Sequence, residues 1–283
     1  MRSYVLITGA VGGLGKAFAA ECAARGWNLL LTDVRADLLQ PLSEGLSRLH
    51  GAQVLTLPCD LVEAASRDAF WERVEGLGLK LHMLINVAGL DYEGPFRERR
   101  VQELRTMLRL NIEATTEMTR RALERRDPTR IMRVVTVSSL ASHYPMPLKA
   151  VYAASKRYLL DLTRALREEL PRDEVTFTAL CPAGLPTTRQ ALRGIEAQGF
   201  MGQITTMNVG DVAARTLDMA LKGRGVYVPG WVNRLLALTG ALVPPSWVAR
   251  VVGRRWAQAR ARSLGVAGLQ KGAAPSLTQE ASR

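Results

Sequence analysis

Tyr4-Val5-Leu6-Ile7-Thr8-Gly9-Ala10-Val11-Gly12-Gly13-Leu14-Gly15 is the stretch that decides the fold. Tyr4 to Ile7 reads as a short buried strand, and the alanine-rich run Lys16 to Arg25 reads as a helix. Between them lies Thr-Gly-x-x-x-Gly-x-Gly. A strand, a glycine turn and a helix in direct succession form the setting in which such a loop binds a dinucleotide. Glycines let the turn tighten and let a pyrophosphate approach the backbone, where the helix N-terminus offers unpaired N–H groups and a favourable dipole. The bland alternative is a plain glycine-rich turn, which the flanking pattern disfavours.

Outward from this stretch the same alternation continues. Trp27 to Thr32, Gln53 to Leu57, Leu81 to Asn86, Ile131 to Val137, Val175 to Leu180 and Val226 to Val228 read as strands. Leu38 to Leu49, Glu63 to Glu75, Val101 to Glu124 (as one long helix), Val151 to Leu170 and Asp211 to Leu221 read as helices between them. Ile131 to Val137 is nearly continuous in apolar character, as a strand covered on both faces must be. Alternation of this kind implies an α/β fold with a Rossmann-type, doubly wound parallel sheet. The reading is a single domain over residues 1–230, a basic, apolar helical extension over 231–262, and a disordered tail over 263–283 rich in small and polar residues.

A second feature carries chemistry. Tyr152-Ala153-Ala154-Ser155-Lys156 puts a phenol and an ammonium four residues apart, on one face of a helix. A tyrosine ordinarily titrates near ~10. A neighbouring lysine cation favours the phenolate and brings that value towards the working range. Such a pair can exchange a proton with an alcohol or ketone oxygen. Alone the spacing is weak evidence; with a serine pair at Ser138-Ser139 upstream and the glycine loop it gains force.

Taken together and in this order, these motifs resemble the short-chain dehydrogenase/reductase family over about residues 1–230. Gly9, Gly13, Leu14 and Gly15 match the family's cofactor loop, and Asp60 with Leu61 matches the segment after the third strand that meets the adenine. Asn86-Val87-Ala88-Gly89 looks like Asn-Asn-Ala-Gly, and Asn111 falls where a helix asparagine completes the catalytic set. Ser139 has the family's spacing to Tyr152 and is preferred to Ser138. Pro182 and Thr187 match a Pro-Gly-x-x-x-Thr segment. Val87 and Ala183 depart from the pattern: Val87 removes a side-chain hydrogen bond near the central strands, and Ala183 stands where a glycine is expected. The resemblance implies a catalytic set of Asn111, Ser139, Tyr152 and Lys156. Tyr152 would act as acid/base during hydride transfer, Lys156 would lower its pKa and bind the nicotinamide ribose, Ser139 would hold the reacting oxygen, and Asn111 would hold a water. It also implies a homodimer or homotetramer built on the long helices near Asn111 and Tyr152.

Asp33, at the end of the second strand, reads as the carboxylate that accepts hydrogen bonds from both ribose hydroxyls of NAD and repels the phosphate of NADP. Gly12 stands where NADP-preferring relatives often carry a basic residue, although Arg35 weakens the discrimination. NAD is the reading, NADP the lesser option. The expected substrate is a hydrophobic ketone or secondary alcohol of steroid or ketoacyl type. Thr187 to Asn208 reads as an apolar lid (Leu192, Ile195, Phe200, Met201, Ile204, Met207) facing Leu140, Tyr144, Pro145, Met146 and Pro147. The competing class is a non-catalytic protein that senses or carries NAD, against which the intact set of four stands.

The net charge of the 283 residues is +12, and 47% are hydrophobic. Trp231 to Arg262 mixes tryptophans, aliphatics and arginines and is broken at Pro244-Pro245, so it is not one spanning helix. Trp247, Val248, Val251, Val252 and Trp256 would share one broad arc. Packing on the body or on a second subunit is one reading; peripheral contact with a membrane surface is the other. No nucleic-acid module is recognisable. Cys22, Cys59 and Cys181 read as reduced, buried thiols, no metal spacing joins His50, His82 and His143, and no cleavable signal is expected, which together imply a cytoplasmic protein, in peripheral contact with a membrane on the second reading.

Overall fold

The computed structural model describes residues 3–186 and 204–254. Thr187, most of the expected lid, Arg255, Trp256 and the 263–283 tail lie outside them.

Seven parallel strands form one sheet in the order β3-β2-β1-β4-β5-β6-β7: β1 Ser3–Thr8, β2 Asn28–Thr32, β3 Val54–Thr56, β4 Lys80–Asn86, β5 Met132–Val137, β6 Val175–Leu180 and β7 Val226–Tyr227. The helices are α1 Gly13–Ala24, α2 Ala36–His50, α3 Ala64–Gly76, α4 Val101–Leu108, α5 Thr115–Glu124, α6 Ala150–Glu169, α7 Val209–Leu221 and α8 Trp231–Leu242, with a further helix over 245–254. Chain order reverses between β1 and β4, which makes the ends of those strands the crevice where open α/β sheets take ligands.

Strand periodicity explains the layering. Side chains alternate across a strand, so Val5 and Ile7 of β1 join the core with α1, α2 and α7, while Tyr4 and Leu6 join the opposite core with α3 and α5. β5 divides the same way, Val135 and Val137 against Met132 and Val134. Both faces are covered, which is why these strands read as apolar runs.

The expected single helix from Val101 to Glu124 is corrected in one respect. Between α4 and α5, residues Arg109–Ala114 form a π-helical segment. Such a segment inserts a wider turn and re-aims its side chains, most often at functional sites. Here it carries Asn111, which is fully buried. The segment is tied to α3 by Arg67, a buried guanidinium that donates to Glu117 (2.6 Å), Glu113 (2.5 Å) and the Leu61 carbonyl (2.8 Å). Cys22, Cys59 and Cys181 are free and buried.

Candidate active site

The glycine loop forms the first wall. Gly9 has φ +65°, and a Cβ there would lie 2.9 Å from the Ala88 backbone. At Gly15 a Cβ would come within 2.1 Å of the Gly9 carbonyl oxygen, so only glycine lets α1 start so close to the turn. The N-cap of α1 is Gly12, with no capping side chain and no acidic residue in the first turn. The N–H groups of that turn are thus left for an anion. A close backbone cradle at an uncapped helix N-terminus fits the pyrophosphate of a dinucleotide.

Asp33 is buried just beyond β2. Its Oδ2 accepts from Val11 N–H (3.2 Å), binding the glycine loop to the second strand, and Oδ1 accepts from the Arg35 backbone N–H (3.1 Å). The Arg35 guanidinium folds back onto both oxygens, at 3.1 and 3.3 Å. At the next strand end Asp60 Oδ1 accepts from Val62 N–H (2.9 Å), and Leu61 is buried with its carbonyl held by Arg67. Asn86 donates to Thr119 Oγ1 (3.0 Å). The valine at 87 is accommodated because Thr8 Oγ1 accepts from the N–H groups of Val87 (3.1 Å) and Ala88 (3.3 Å), which ties β1 to the end of β4 through a hydroxyl. A Cβ on Gly89 would stand 3.2 Å from Lys156 Nζ, so the lack of a side chain there admits the lysine. Pro182 is buried, and its carbonyl accepts from Leu140 N–H (2.8 Å).

The four residues assigned to catalysis come from three elements. Tyr152 and Lys156 lie on α6, Ser139 is the second residue after β5, and Asn111 sits in the π segment. Asn111 Nδ2 donates to Ser155 Oγ (3.0 Å) and the Leu90 carbonyl (2.9 Å), and its Oδ1 accepts from Leu90 N–H (2.8 Å). Ser155 Oγ in turn donates to the Tyr152 carbonyl (2.7 Å). The side chain of Asn111 therefore binds the loop after β4 to the helix that carries the phenol. The two serines separate cleanly: Ser138 Oγ donates to the Lys156 carbonyl (2.7 Å), whereas Ser139 Oγ accepts from Ala141 N–H (3.1 Å) and lies near enough to the phenol to favour its ionised form.

The electrostatics differ from the sequence reading. Lys156 Nζ lies 5.8 Å from the Tyr152 ring centroid and donates to the Val137 carbonyl (2.8 Å). Burial pulls its pKa down to about 8. Burial, reinforced by the Asp91 carboxylate, pushes the Tyr152 phenol up to about 12, against the opposing influence of Ser139 and Lys149. The expected lowering of the phenol by Lys156 is thus corrected: desolvation outweighs it, and the cation acting on the phenol is Lys149.

Sequence reasoning missed this group. Lys149 Nζ stands 5.6 Å from the Tyr152 ring centroid and pairs with Asp91 and, at 3.2 Å, with Glu93. The only signal in the sequence was the Lys-x-x-Tyr spacing at the start of α6, which places both side chains on one face. On the other side of the phenol, Ala141, Tyr144, Met146 and Ala153 form an apolar cluster that also takes in Val252 from the helix over 245–254.

The sequence profile described as short chain dehydrogenase matches residues 3–195. The chain belongs to the short-chain dehydrogenase/reductase family. It is 32% identical over 172 residues to the very-long-chain 3-oxoacyl-CoA reductase of Pyrenophora tritici-repentis, covering 59% of this chain and 50% of that protein. To human 17-beta-hydroxysteroid dehydrogenase type 3 it is 27% identical over 191 residues, 66% of this chain and 60% of the other. The chain spans about half the length of the fungal relatives it matches. A short-chain dehydrogenase from Sphingobium yanoikuyae in complex with NADPH superposes with a TM-score of 0.72 at 26% identity, over 85% of this chain and 93% of that one.

Proposed function

We propose that this protein reduces an apolar ketone of steroid or 3-oxoacyl type to the secondary alcohol, with a nicotinamide cofactor and with Tyr152 as proton donor. The observation that carries this reading is the phenol itself. Burial holds it protonated above neutral pH, with the Ser139 hydroxyl near enough to act on it and apolar residues packed around it. A phenol kept protonated is ready to donate, which favours ketone reduction; the reverse oxidation needs the phenolate and hence alkaline pH.

When bound, the nicotinamide supplies the hydride. The residues of this chain do the rest. Gly9, Gly13, Leu14 and Gly15 receive the pyrophosphate at the start of α1, Asp60 and Leu61 border the adenine, and Asn86, Ala88, Gly89 and Pro182 border the nicotinamide half. Ser139 holds the carbonyl oxygen in line with the phenol, which is positioning plus charge stabilisation. Tyr152 gives its proton to that oxygen. Lys149 stabilises the phenolate left behind, and Lys156, charged below about pH 8, bonds the nicotinamide ribose. Asn111 keeps the floor of the site fixed through Leu90 and Ser155.

NAD is the proposed cofactor, on the strength of the buried Asp33. Discrimination should be narrow, because Arg35 already neutralises that carboxylate and is itself half-exposed. Assembly as a homodimer or homotetramer is proposed through α4, α5 and α6, where Val101, Leu108 and Tyr158 are exposed.

The test is turnover of steroid and 3-oxoacyl thioester ketones with NADH and NADPH, wild type against Tyr152→Phe. Loss of a general acid should lower kcat by roughly 10²–10⁴ while cofactor binding persists. An undiminished Tyr152→Phe enzyme would refute the assignment. Tight NADH binding without turnover of any ketone or alcohol would point to a sensor instead.

A further inference from the structure

Beyond β7 the chain changes character. Between Tyr227 and Glu280 it contains no acidic residue and seven lysines and arginines. The two helices described in this stretch are each two-sided. In α8 the inner face buries Asn233 and Ala237, and Asn233 Nδ2 donates to the carbonyls of Pro229 (2.8 Å) and Thr205 (3.1 Å). Its outer face exposes Trp231 (76%), Leu235 and Leu238, with Arg234 beside them. In the helix over 245–254, Val252 packs against the cluster of Ala141, Met146 and Ala153 that Tyr144 and Tyr152 also join, and Gly253 lies against Pro147. The expected single arc therefore splits: Val248 and Val252 are partly buried, while Trp247 (63%) and Val251 face outward with Arg250 and Arg254.

Tryptophans and leucines laid open to water are costly, and contiguous apolar faces of this kind mark contact surfaces. Among the described residues no carboxylate pairs with Arg234, Arg250 or Arg254. A second copy is a poor occupant, because isologous pairing would set this acid-free, arginine-bearing face against itself. An anionic bilayer meets both demands, since its headgroups take the arginines and the acyl boundary takes the indoles. No helix among the described residues is long and apolar enough to cross a membrane, so the contact lies in the interface.

We propose that α8 and the helix over 245–254 dock the protein onto an anionic lipid surface, and that the apolar substrate enters the site from that surface. The lipid contact stands on these helices alone. Entry from lipid rests on the apolar-ketone reading, and has its own structural basis: one short helix shows Trp247 and Val251 to the outside and packs Val252 into the apolar cluster that Tyr152 also joins.

The experiment is co-sedimentation of the full chain with phosphatidylcholine vesicles, with and without phosphatidylglycerol, at low and high salt. Tryptophan emission is followed in parallel. Binding should require the anionic lipid, weaken with salt, and shift the emission to the blue. Arg250→Glu with Arg254→Glu should lower vesicle affinity at least about tenfold, and Trp231→Ser with Trp247→Ser should do so comparably while the far-ultraviolet circular dichroism stays unchanged. Absence of binding at low salt would overturn the docking proposal. So would tryptophan variants that change sedimentation in free solution, showing a second copy on this face, and leave vesicle binding intact. Tyr152→Phe should bind vesicles as the wild type does, so loss of the catalytic reading leaves this result unaffected. For substrate entry, KM for a vesicle-embedded ketone should be lower in anionic than in neutral vesicles; equal values would overturn it.

Discussion

Lys149→Met should separate the two directions of the reaction. The ammonium stands 5.6 Å from the Tyr152 ring centroid, and its side chain is 14% exposed. At that separation and an effective dielectric near ~20, a unit charge acts on the phenolate with about 3 kcal/mol, or roughly two pKa units. Asp91 and Glu93 already face the lysine and water reaches the site, so about one unit is the net expectation. Removal of the cation raises the phenol further above about 12. Ketone reduction at neutral pH uses the protonated phenol, which is fully populated with or without Lys149, and should change by less than about threefold. Alcohol oxidation uses the phenolate, whose fraction falls tenfold for each unit the pKa rises. It should therefore drop by about tenfold at every pH below the phenol's own. The assay is kcat/KM for oxidation and reduction from neutral to alkaline pH, with Lys149→Arg as the charge-retaining control. Lys149→Met/Asp91→Asn should return part of the oxidative rate, because Asp91 raises the phenol. An oxidative profile that does not move, or that moves towards lower pH, would refute the assignment of Lys149 to the phenol.

Three further outcomes follow from the site. Gly15→Ala puts a Cβ 2.1 Å from the Gly9 carbonyl oxygen, so the start of α1 must shift; NADH affinity by fluorescence titration should fall at least about tenfold, and unchanged affinity would show that α1 does not hold the cofactor. Arg35→Ala frees Asp33 for the ribose and removes the nearest cation a 2′-phosphate could use, so the NADH-to-NADPH ratio of kcat/KM should rise several-fold; a fall would assign Arg35 no part in NADP binding. Lys156→Met should abolish turnover and yet raise Tm at neutral pH by about 3 °C. The native lysine titrates at about 8 against an ordinary 10.5, so the unfolded chain binds more protons between those values and native stability rises with pH across that window. The gain from Lys156→Met should accordingly shrink on going from neutral pH to about 10, and a gain that grows instead would contradict the burial of a charged lysine.

Much of this was legible in the chain because the signals are local. Strand and helix positions follow from periodicity, and the glycine loop from the need of a tight turn for residues without a Cβ. Tyr152 and Lys156 were found because helix spacing alone puts them on one face. Asn111 was placed on a helix, but nothing local marks the π segment that aims its amide at Leu90 and Ser155. Arg67 gave no signal at all; its carboxylates lie about fifty residues away, on Glu113 and Glu117.

The amino-acid sequence by itself determined the alternating architecture, the crevice that it creates between β1 and β4, and the placing of Tyr152 and Lys156 on one helix face. Backbone propensity and side-chain chemistry are properties of short stretches. The tertiary structure alone decided how those groups are charged. Whether the phenol is raised or lowered depends on how much water its surroundings exclude and on the balance of Asp91, Ser139 and Lys149 around it, which no spacing along the chain records. It decided likewise that the C-terminal helices split their apolar residues, Val252 into the cluster that Tyr152 joins and Trp231 and Trp247 outward, because burial is settled by what packs against a helix face and not by the face's own composition.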